Sequence, residues 1–519
     1  MRLVSAEEQR TLDAATIAAG TPGHVLMERA GAGAVRVILE CFPRLRRAGR
    51  RVLVVAGTGN NGGDGLVIAR LLAKRGAVVE VAILGAAAAL RGDAERNLGA
   101  YRRLRKPLFE VVDGSAVARV AVAGARADLI VDALFGTGLN RSVQGLAAQL
   151  IEAVNACGAP VLAVDIPSGL DADTGQVLGA AIQAEATATF GFAKLGQVQH
   201  PGVRHCGALA VVDIGLAAAA LAAPARAALL DAAGAAALLP QRDAEAHKGT
   251  CGHVLVLAGS FGHTGAAQLA TRAAGRAGAG LVTVVAPASL YPVYAAGVRE
   301  AMTEALPDDA GRIRFDPVRL ASLAAGKAAV VVGPGLGTHA GAADTLRWLL
   351  AEARLPLVLD ADALTLVSGD LAALRDARAP VVLTPHPGEM GRLAGIDSAA
   401  VQVDRVGVAR RFATAHGCVL VLKGARTVIA APDGFVWINP TGNPGMASGG
   451  MGDVLAGAIG ALLAQRLPAP EAACLGAYVH GAAGDAAAAD GEIGLLAGDV
   501  AEALRPALHR LRAALDGAA

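Results

Sequence analysis

Short apolar runs rich in Val and Leu recur along this chain, and many of them stop at a glycine or an aspartate. Arg51–Ala56 is the first, Val78–Leu84 the next. Ala127–Asp132, Pro160–Asp165, Ala186–Phe190 and Ala208–Asp213 follow. A strand that is apolar on both faces must be covered on both faces, and helical stretches lie between these runs. Strand–helix–strand order of this kind implies a parallel sheet with helices on either side. Before the first strand, Ser5–Glu40 reads as helical with a break at Gly20–Gly23. Composition agrees. Of 519 residues, 54% are hydrophobic and only 3% aromatic, so Ala, Val, Leu and Ile must build the core. A disordered chain has the opposite balance.

The formal net charge is +2, from 47 basic and 45 acidic residues. The one basic run, Arg44–Arg51, reads as a solvated helix end, so no nucleic-acid partner is expected. The stretch Ile214–Leu230 is interrupted by Pro224 and Arg226 and makes a poor membrane span. The N-terminal residues lack an apolar signal core. Six scattered cysteines form no Cys-x-x-Cys pair, which predicts reduced thiols and a cytoplasmic location.

Leu216–Leu239 is nearly pure Ala and Leu and carries no motif. It is read as a domain boundary, itself helical, with domains expected at 1–220 and 240–519 and a linker at 221–239. A second strand series then begins: Gly252–Ala258, Leu281–Ala286, Ala328–Gly333, Leu355–Asp360, Pro380–Thr384 and Cys418–Lys423. Thr427–Ala431 and Phe435–Ile438, joined by Pro432-Asp433-Gly434, predict a hairpin. The halves share no motif, so they are two different α/β domains.

Two loop sets carry the chemistry. In the first half, Gly57-Thr58-Gly59-Asn60-Asn61-Gly62-Gly63-Asp64-Gly65 follows a strand and leads into a helix expected from Gly65 to about Arg75. Amides at such a start favour anions. A plain turn needs only one or two glycines, and here three oxygen-bearing side chains, Asn60, Asn61 and Asp64, are added. Asp132 and Asp165 sit at strand ends, where open parallel sheets form their ligand crevice. An isolated strand-end Asp is usually a cap; the convergence of three such loops points to a phosphorylated ligand and a monovalent cation.

The Gly-Asn-Asn-Gly-Gly-Asp-Gly run, Asp132 and its loop, and Asp165-Ile166-Pro167-Ser168 resemble the N-terminal epimerase domain of the NAD(P)H-hydrate repair family, over roughly residues 1–215. The resemblance implies a Rossmann-like three-layer αβα sandwich that interconverts the R and S hydrates of NADH and NADPH. It implies a potassium ion on Asn61, Asp132 and Ser168. It places the damaged nucleotide against Asn60, Asn61, Gly62, Gly63 and Asp64, against Gly136, Thr137, Gly138, Leu139, Asn140, Arg141 and Ser142, and against Asp165. Asp165 is the candidate proton-transfer group. Lys194 either assists it or is a surface lysine near a strand end.

In the second half, Asn443–Gly457 contains Gly449-Gly450-Met451-Gly452-Asp453, leading into a helix expected from about Gly452 to Leu467. Small residues there make an amide-lined anion hole, and Asp453 in the first turn could take a proton from an attacking hydroxyl. The run resembles the Gly-x-Gly-Asp signature of ribokinase-like enzymes. With Gly259-Ser260, Gly333–Gly337, Asp360-Ala361-Asp362, Thr384–Glu389 and Lys423–Thr427, it resembles the dehydratase domain of the same repair family, over about residues 240–510. The resemblance implies a ribokinase-like αβα fold that dehydrates the S-hydrate with ADP or ATP. Asp453 would be catalytic. Ala266, Gly335, His386 and Asp453 would contact the hydrate. Lys423, Gly424, Ala425, Arg426, Thr427 and Gly452 would bind the adenine nucleotide, with magnesium. His386 is read as hydrogen bonding to ligand or backbone rather than as an acid or base. The variable loop Phe261-Gly262-His263 leaves nearby contacts open.

The expected partners are therefore the NADH and NADPH hydrates and ADP or ATP, with no membrane, and with the chain itself a homo-oligomer. Two alternatives compete: a true ribokinase-like kinase of a vitamin alcohol in the second half, and a nucleotide-sensing scaffold in the first. The fused first domain and the Thr-Pro-His-Pro-Gly-Glu loop argue against the kinase.

Overall fold

The computed structural model describes residues 1–516. Contacts divide the chain into two compact units, one spanning Arg2–Ala227 and the other starting at Ala228.

After a short strand at Arg2–Val4, the first unit has two helices. Ser5 caps α1 (Ala6–Ala18) through a reciprocal capping box with Glu8, which fixes where the helix starts. Helix α2 (Gly23–Cys41) follows the break at Gly20. Seven strands come next: β1 (Arg51–Ala56), β2 (Val78–Leu84), β3 (Leu108–Val111), β4 (Leu129–Ala133), β5 (Val161–Val164), β6 (Ala186–Phe190) and β7 (Ala208–Val212). They form one sheet in the order β3-β2-β1-β4-β5-β6-β7, with every pairing parallel. This is the doubly wound order, whose crevice lies where the direction of winding reverses, between β1 and β4. Alternate residues of β1 feed two cores. Val52 and Val54 pack with Ile38 and Leu66 on one face; Leu53 and Val55 pack with Leu150 and Val154 on the other.

The second unit carries β8 (His253–Leu257), β9 (Leu281–Pro287), β10 (Met302–Leu306), β11 (Ala329–Val332), β12 (Leu357–Leu359), β13 (Val381–Leu383), β14 (Val419–Leu422), β15 (Val428–Ala430) and β16 (Val436–Ile438). They run in the order β10-β9-β8-β11-β12-β13-β14-β15-β16. The pairings are parallel as far as β14, and β14-β15-β16 is an antiparallel meander. The winding reverses between β8 and β11. Ala-rich helices, α4 (Thr264–Arg276) among them, cover the sheet, and Ala270, Ala274, Val454, Ala458 and Leu475 share one core with Val254, Val331 and Val382.

Two expectations need correction, and two of these strands had not been expected. Helix α3 covers Asn60–Lys74, so the glycine run is the helix's own first turns and not a turn before it. The reason is packing. A Cβ on Gly65 would lie 2.5 Å from Ala133 Cβ, and one on Gly63 would lie 2.8 Å from Met27 Sδ. The Ala/Leu boundary is not one helix. It breaks into a helix at Ala218–Leu221, a strand at Ala227–Leu229 and a helix at Ala232–Ala236, because Pro224 interrupts it and Asp231 caps the last piece. Strands β3 and β10 were not legible. Both lie at sheet edges, where a half-exposed strand need not be apolar.

Among the described residues no helix is long and apolar enough to cross a membrane, and all six cysteines are free.

Candidate functional site

In the first unit a cavity of about 970 Å³ opens at the carboxyl end of the sheet. Its wall includes Asn60, Asn61, Asp64, Gly136, Thr137, Gly138, Leu139, Asn140, Arg141, Ser142 and Asp165. The structure thus gathers loops from β1, β4 and β5 around one space. Gly62 and Gly63 are not in that wall. A Cβ on Gly62 would run into the Gly57 backbone, so both glycines serve the close seating of α3.

Asp165 has φ = 64°, a left-handed conformation rare outside glycine, which costs about 1–3 kcal/mol and tends to occur at functional sites. Neighbours hold it there: its amide donates to Ala188 O at 2.8 Å, and Gln197 Nε2 donates to its carbonyl at 2.7 Å. Lys194 Nζ donates to Asp165 Oδ1 at 2.5 Å, to Thr189 Oγ1 at 2.9 Å and to Phe190 O at 3.0 Å. Its side chain is 0% exposed, so it is no surface lysine. All three ammonium protons have acceptors, and Asp165 Oδ2 accepts no hydrogen bond among the described residues.

Asp132 and Ser168 lie beneath the cavity. Ser168 Oγ donates to Asp132 Oδ1 at 2.6 Å, and the Ser168 amide donates to Oδ2 at 2.8 Å. Burial pushes the Asp132 carboxyl up to about 6, against the pull of these bonds. Asn61 is 8% exposed, and both polar atoms of its amide are buried without a partner. Buried amides normally find partners, so this pair of orphaned atoms is the site's chief anomaly.

Sequence reasoning missed the four wall residues on α1, Gln9, Arg10, Asp13 and Ile17. Gln9 Nε2 donates to Asp13 Oδ1 at 2.9 Å. The signal was present: the capping box sets the register, and Gln9, Leu12 and Thr16 fall on the buried face. A polar i, i+4 pair on that face is out of place in a simple packing helix.

In the second unit, helix α6 (Met451–Ala464) begins one residue before the expected start. Gly450, at φ = 88°, turns the chain into it. Burial and the neighbouring Asp360 raise the Asp453 carboxyl to about 7, with Lys423 opposing. Lys423 Nζ donates to Asp360 Oδ1 at 2.7 Å and lies 3.7 Å from Glu389 Oε2. A Cβ on Gly452 would sit 3.1 Å from Lys423 Nζ, so the glycine leaves the ammonium room. Asp360, also bonded to Thr384 Oγ1 at 2.8 Å, was seen in the sequence only as a strand-end residue.

His386 is the N-cap of α5 (Pro387–Ala394). Its Nδ1 accepts from the Gly388 and Glu389 amides at 3.0 and 3.3 Å. That ring nitrogen is committed to the backbone, and Nε2 lies 3.5 Å from Glu389 Oε1. Ala266 and Gly335 meet: a Cβ on Gly335 would lie 3.2 Å from Ala266 Cβ. In the Lys423–Thr427 loop, Thr427 Oγ1 donates to Gly424 O at 2.9 Å and Arg426 is left-handed at φ = 60°. Buried Arg405 secures the loop's start by donating to Leu422 O at 3.0 Å and Lys423 O at 3.2 Å.

Comparison with known proteins agrees with this division. A family model described as YjeF-related protein N-terminus matches residues 23–196, and one described as NAD(P)H-hydrate dehydratase matches residues 254–506. A bifunctional NAD(P)H-hydrate repair enzyme of Moorella thermoacetica is 45% identical, covering 98% of this chain and 97% of the relative. One from Escherichia coli is 38% identical over 92% of this chain and 88% of its own length. Among solved structures, an ADP/ATP-dependent NAD(P)H-hydrate dehydratase from Bacillus subtilis, co-crystallized with ATP/Mg2+, is 32% identical with a TM-score of 0.47. The match covers 55% of this chain and 98% of that one. With identity of this order over nearly its whole length, the chain belongs to the family of bifunctional NAD(P)H-hydrate repair enzymes.

Proposed function

We propose that the first unit interconverts the R and S hydrates of NADH and NADPH, and that the second dehydrates the S-hydrate with ADP, giving AMP and phosphate. Full-length family membership carries this reading, and both sites have the chemistry it requires. Epimerising a carbon that bears a hydroxyl beside a nitrogen needs reversible loss of that hydroxyl, which a positioned acid or base assists. Asp165, with one oxygen tied to Lys194 and the other without a hydrogen bond, is such a group.

For dehydration, hydroxide is a poor leaving group, and phosphorylating it makes departure easy. Asp453 takes the hydroxyl proton, and the amides at the start of α6 stabilise the phosphoryl charge. Lys423, Gly424, Ala425, Arg426, Thr427 and Gly452 bind the adenine nucleotide; Ala266, Gly335, His386 and Asp453 contact the hydrate. Magnesium brought with the nucleotide neutralises phosphate charge.

A potassium ion fits the residues beneath the first cavity. The orphaned Asn61 amide supplies an unused oxygen, and Asp132 and Ser168 supply a carboxylate and a hydroxyl. Such a weakly bound hard cation suits oxygen donors, and its charge would draw the nucleotide's phosphates to the start of α3. The six free thiols fit a reducing cytoplasm, and we assign the chain to a homo-oligomer there.

The test is direct. The protein is incubated with mixed hydrate epimers and either ADP or ATP, and absorbance near 340 nm is followed. Complete recovery with AMP and phosphate formed from ADP is expected. Failure to recover with either nucleotide overturns the reading.

A further inference from the structure

Resting on the epimerase reading above, we infer that Asp64 is the proton donor of the epimerisation, working against Asp165 as acceptor, with Asp13 a positioning residue beside it. Three elements bring these carboxyls to one cavity: α1 supplies Asp13, α3 supplies Asp64, and the turn after β5 supplies Asp165. Strand β4 lies between β1 and β5, so the elements bearing Asp64 and Asp165 rise from strands about 10 Å apart, which is room for a six-membered ring.

The two carboxyls differ in surroundings. Asp165 meets an ammonium and the Phe190 amide. Asp64 is 9% exposed and accepts no hydrogen bond among the described residues. Burial and the adjacent Asp165 and Asp13 hold it well above the usual carboxylate range, with only Lys194 opposing. Arg10, Arg141 and Asp93 also line this space. A pair of acids whose environments push them apart is how enzymes separate donor from acceptor. The wall is built for a polar ligand: Gln9, 4% exposed, has a buried, unpartnered Oε1, and Asn61 has its unpartnered amide.

The step balances. The ring nitrogen's lone pair forms a C=N bond as the C–O bond breaks. The oxygen leaves with the bonding pair and takes the Asp64 proton, departing as water. Water then adds at the opposite face, the C=N pair returns to nitrogen, and the surplus proton passes to Asp165. Transfer back to Asp64 through cavity water restores the starting state, and no oxidant or reductant is needed.

The full chain, given mixed hydrates with ADP or ATP, should regain 340 nm absorbance in a fast phase and a slow phase, the latter limited by epimerisation. Asp64→Asn should lower the slow-phase kcat by about 100-fold or more, with the fast phase intact. Asp64→Glu should retain part of the rate, and formate should restore the slow phase in Asp64→Gly. Asp13→Asn should move the alkaline limb of the slow phase to lower pH, because losing a neighbouring negative charge weakens proton retention on Asp64. An Asp64→Asn enzyme with unchanged kcat and only a raised KM overturns the proposal, as does absence of formate rescue with an unmoved limb in Asp13→Asn. A wild-type slow phase no faster than spontaneous epimerisation overturns the epimerase reading itself.

Discussion

Lys194 Nζ lies 2.5 Å from Asp165 Oδ1, and the lysine is wholly buried while the aspartate is 14% exposed. An ammonium in that position has no water to replace its partner. It fixes one oxygen of the carboxylate and leaves the other toward the cavity.

Removing either partner should therefore act differently. Asp165→Asn should slow R-to-S conversion by about 100-fold or more while hydrate binding stays measurable. Lys194→Met should slow it similarly and also destabilise the first unit by about 3 kcal/mol, since it strands a largely buried charge. Slow-phase kinetics and denaturant titration of the two variants separate these effects. An Asp165→Asn enzyme that epimerises at the normal rate removes Asp165 from the mechanism.

Epimerisation should rise with potassium and respond less to lithium. Asn61→Ala should abolish that dependence, since the ion would lose the amide oxygen that has no other partner. Titration of the slow phase with chloride salts at constant ionic strength is the check. Equal response of wild type and variant removes Asn61 from the ion site.

As the proposed base, Asp453 must be ionised. With its carboxyl raised to about 7, dehydratase kcat/KM should climb as pH rises through about 7 and then level off. Removing the opposing ammonium with Lys423→Met should shift that limb to higher pH. Asp453→Asn should lower kcat by about 100-fold to 10,000-fold. A flat profile from pH 5.5 to about 8.5 contradicts the assignment.

Gly62→Ala should destabilise the first unit by about 1–3 kcal/mol, because its methyl meets the rigid Gly57 backbone. Gly63→Ala should be milder, because the Met27 side chain in its way has several rotatable bonds. Thermal melts of the two variants compare them directly; an equal loss shows that the glycines are not governed by backbone approach.

The sequence by itself determined the central strands and the loops that follow them. A strand buried on both faces must be continuously apolar, and a loop that approaches a phosphate must be small, so both leave marks along the chain. Val78–Leu84 and Ala186–Phe190 could be read to the residue, as could the positions of Asp165 and Asp453 beside their glycines. The edge strand Leu108–Val111 left no mark, because one open side relaxes the pattern. Tertiary structure alone decided that Lys194 is buried against Asp165, that Asp360 pairs with Lys423, and that Asp13 and Asp64 line one cavity. Those partners are far apart in the chain or lie on elements whose spacing is ordinary. Charge pairing at a distance is set by how helices seat on a sheet, and that seating is fixed only when the whole core packs.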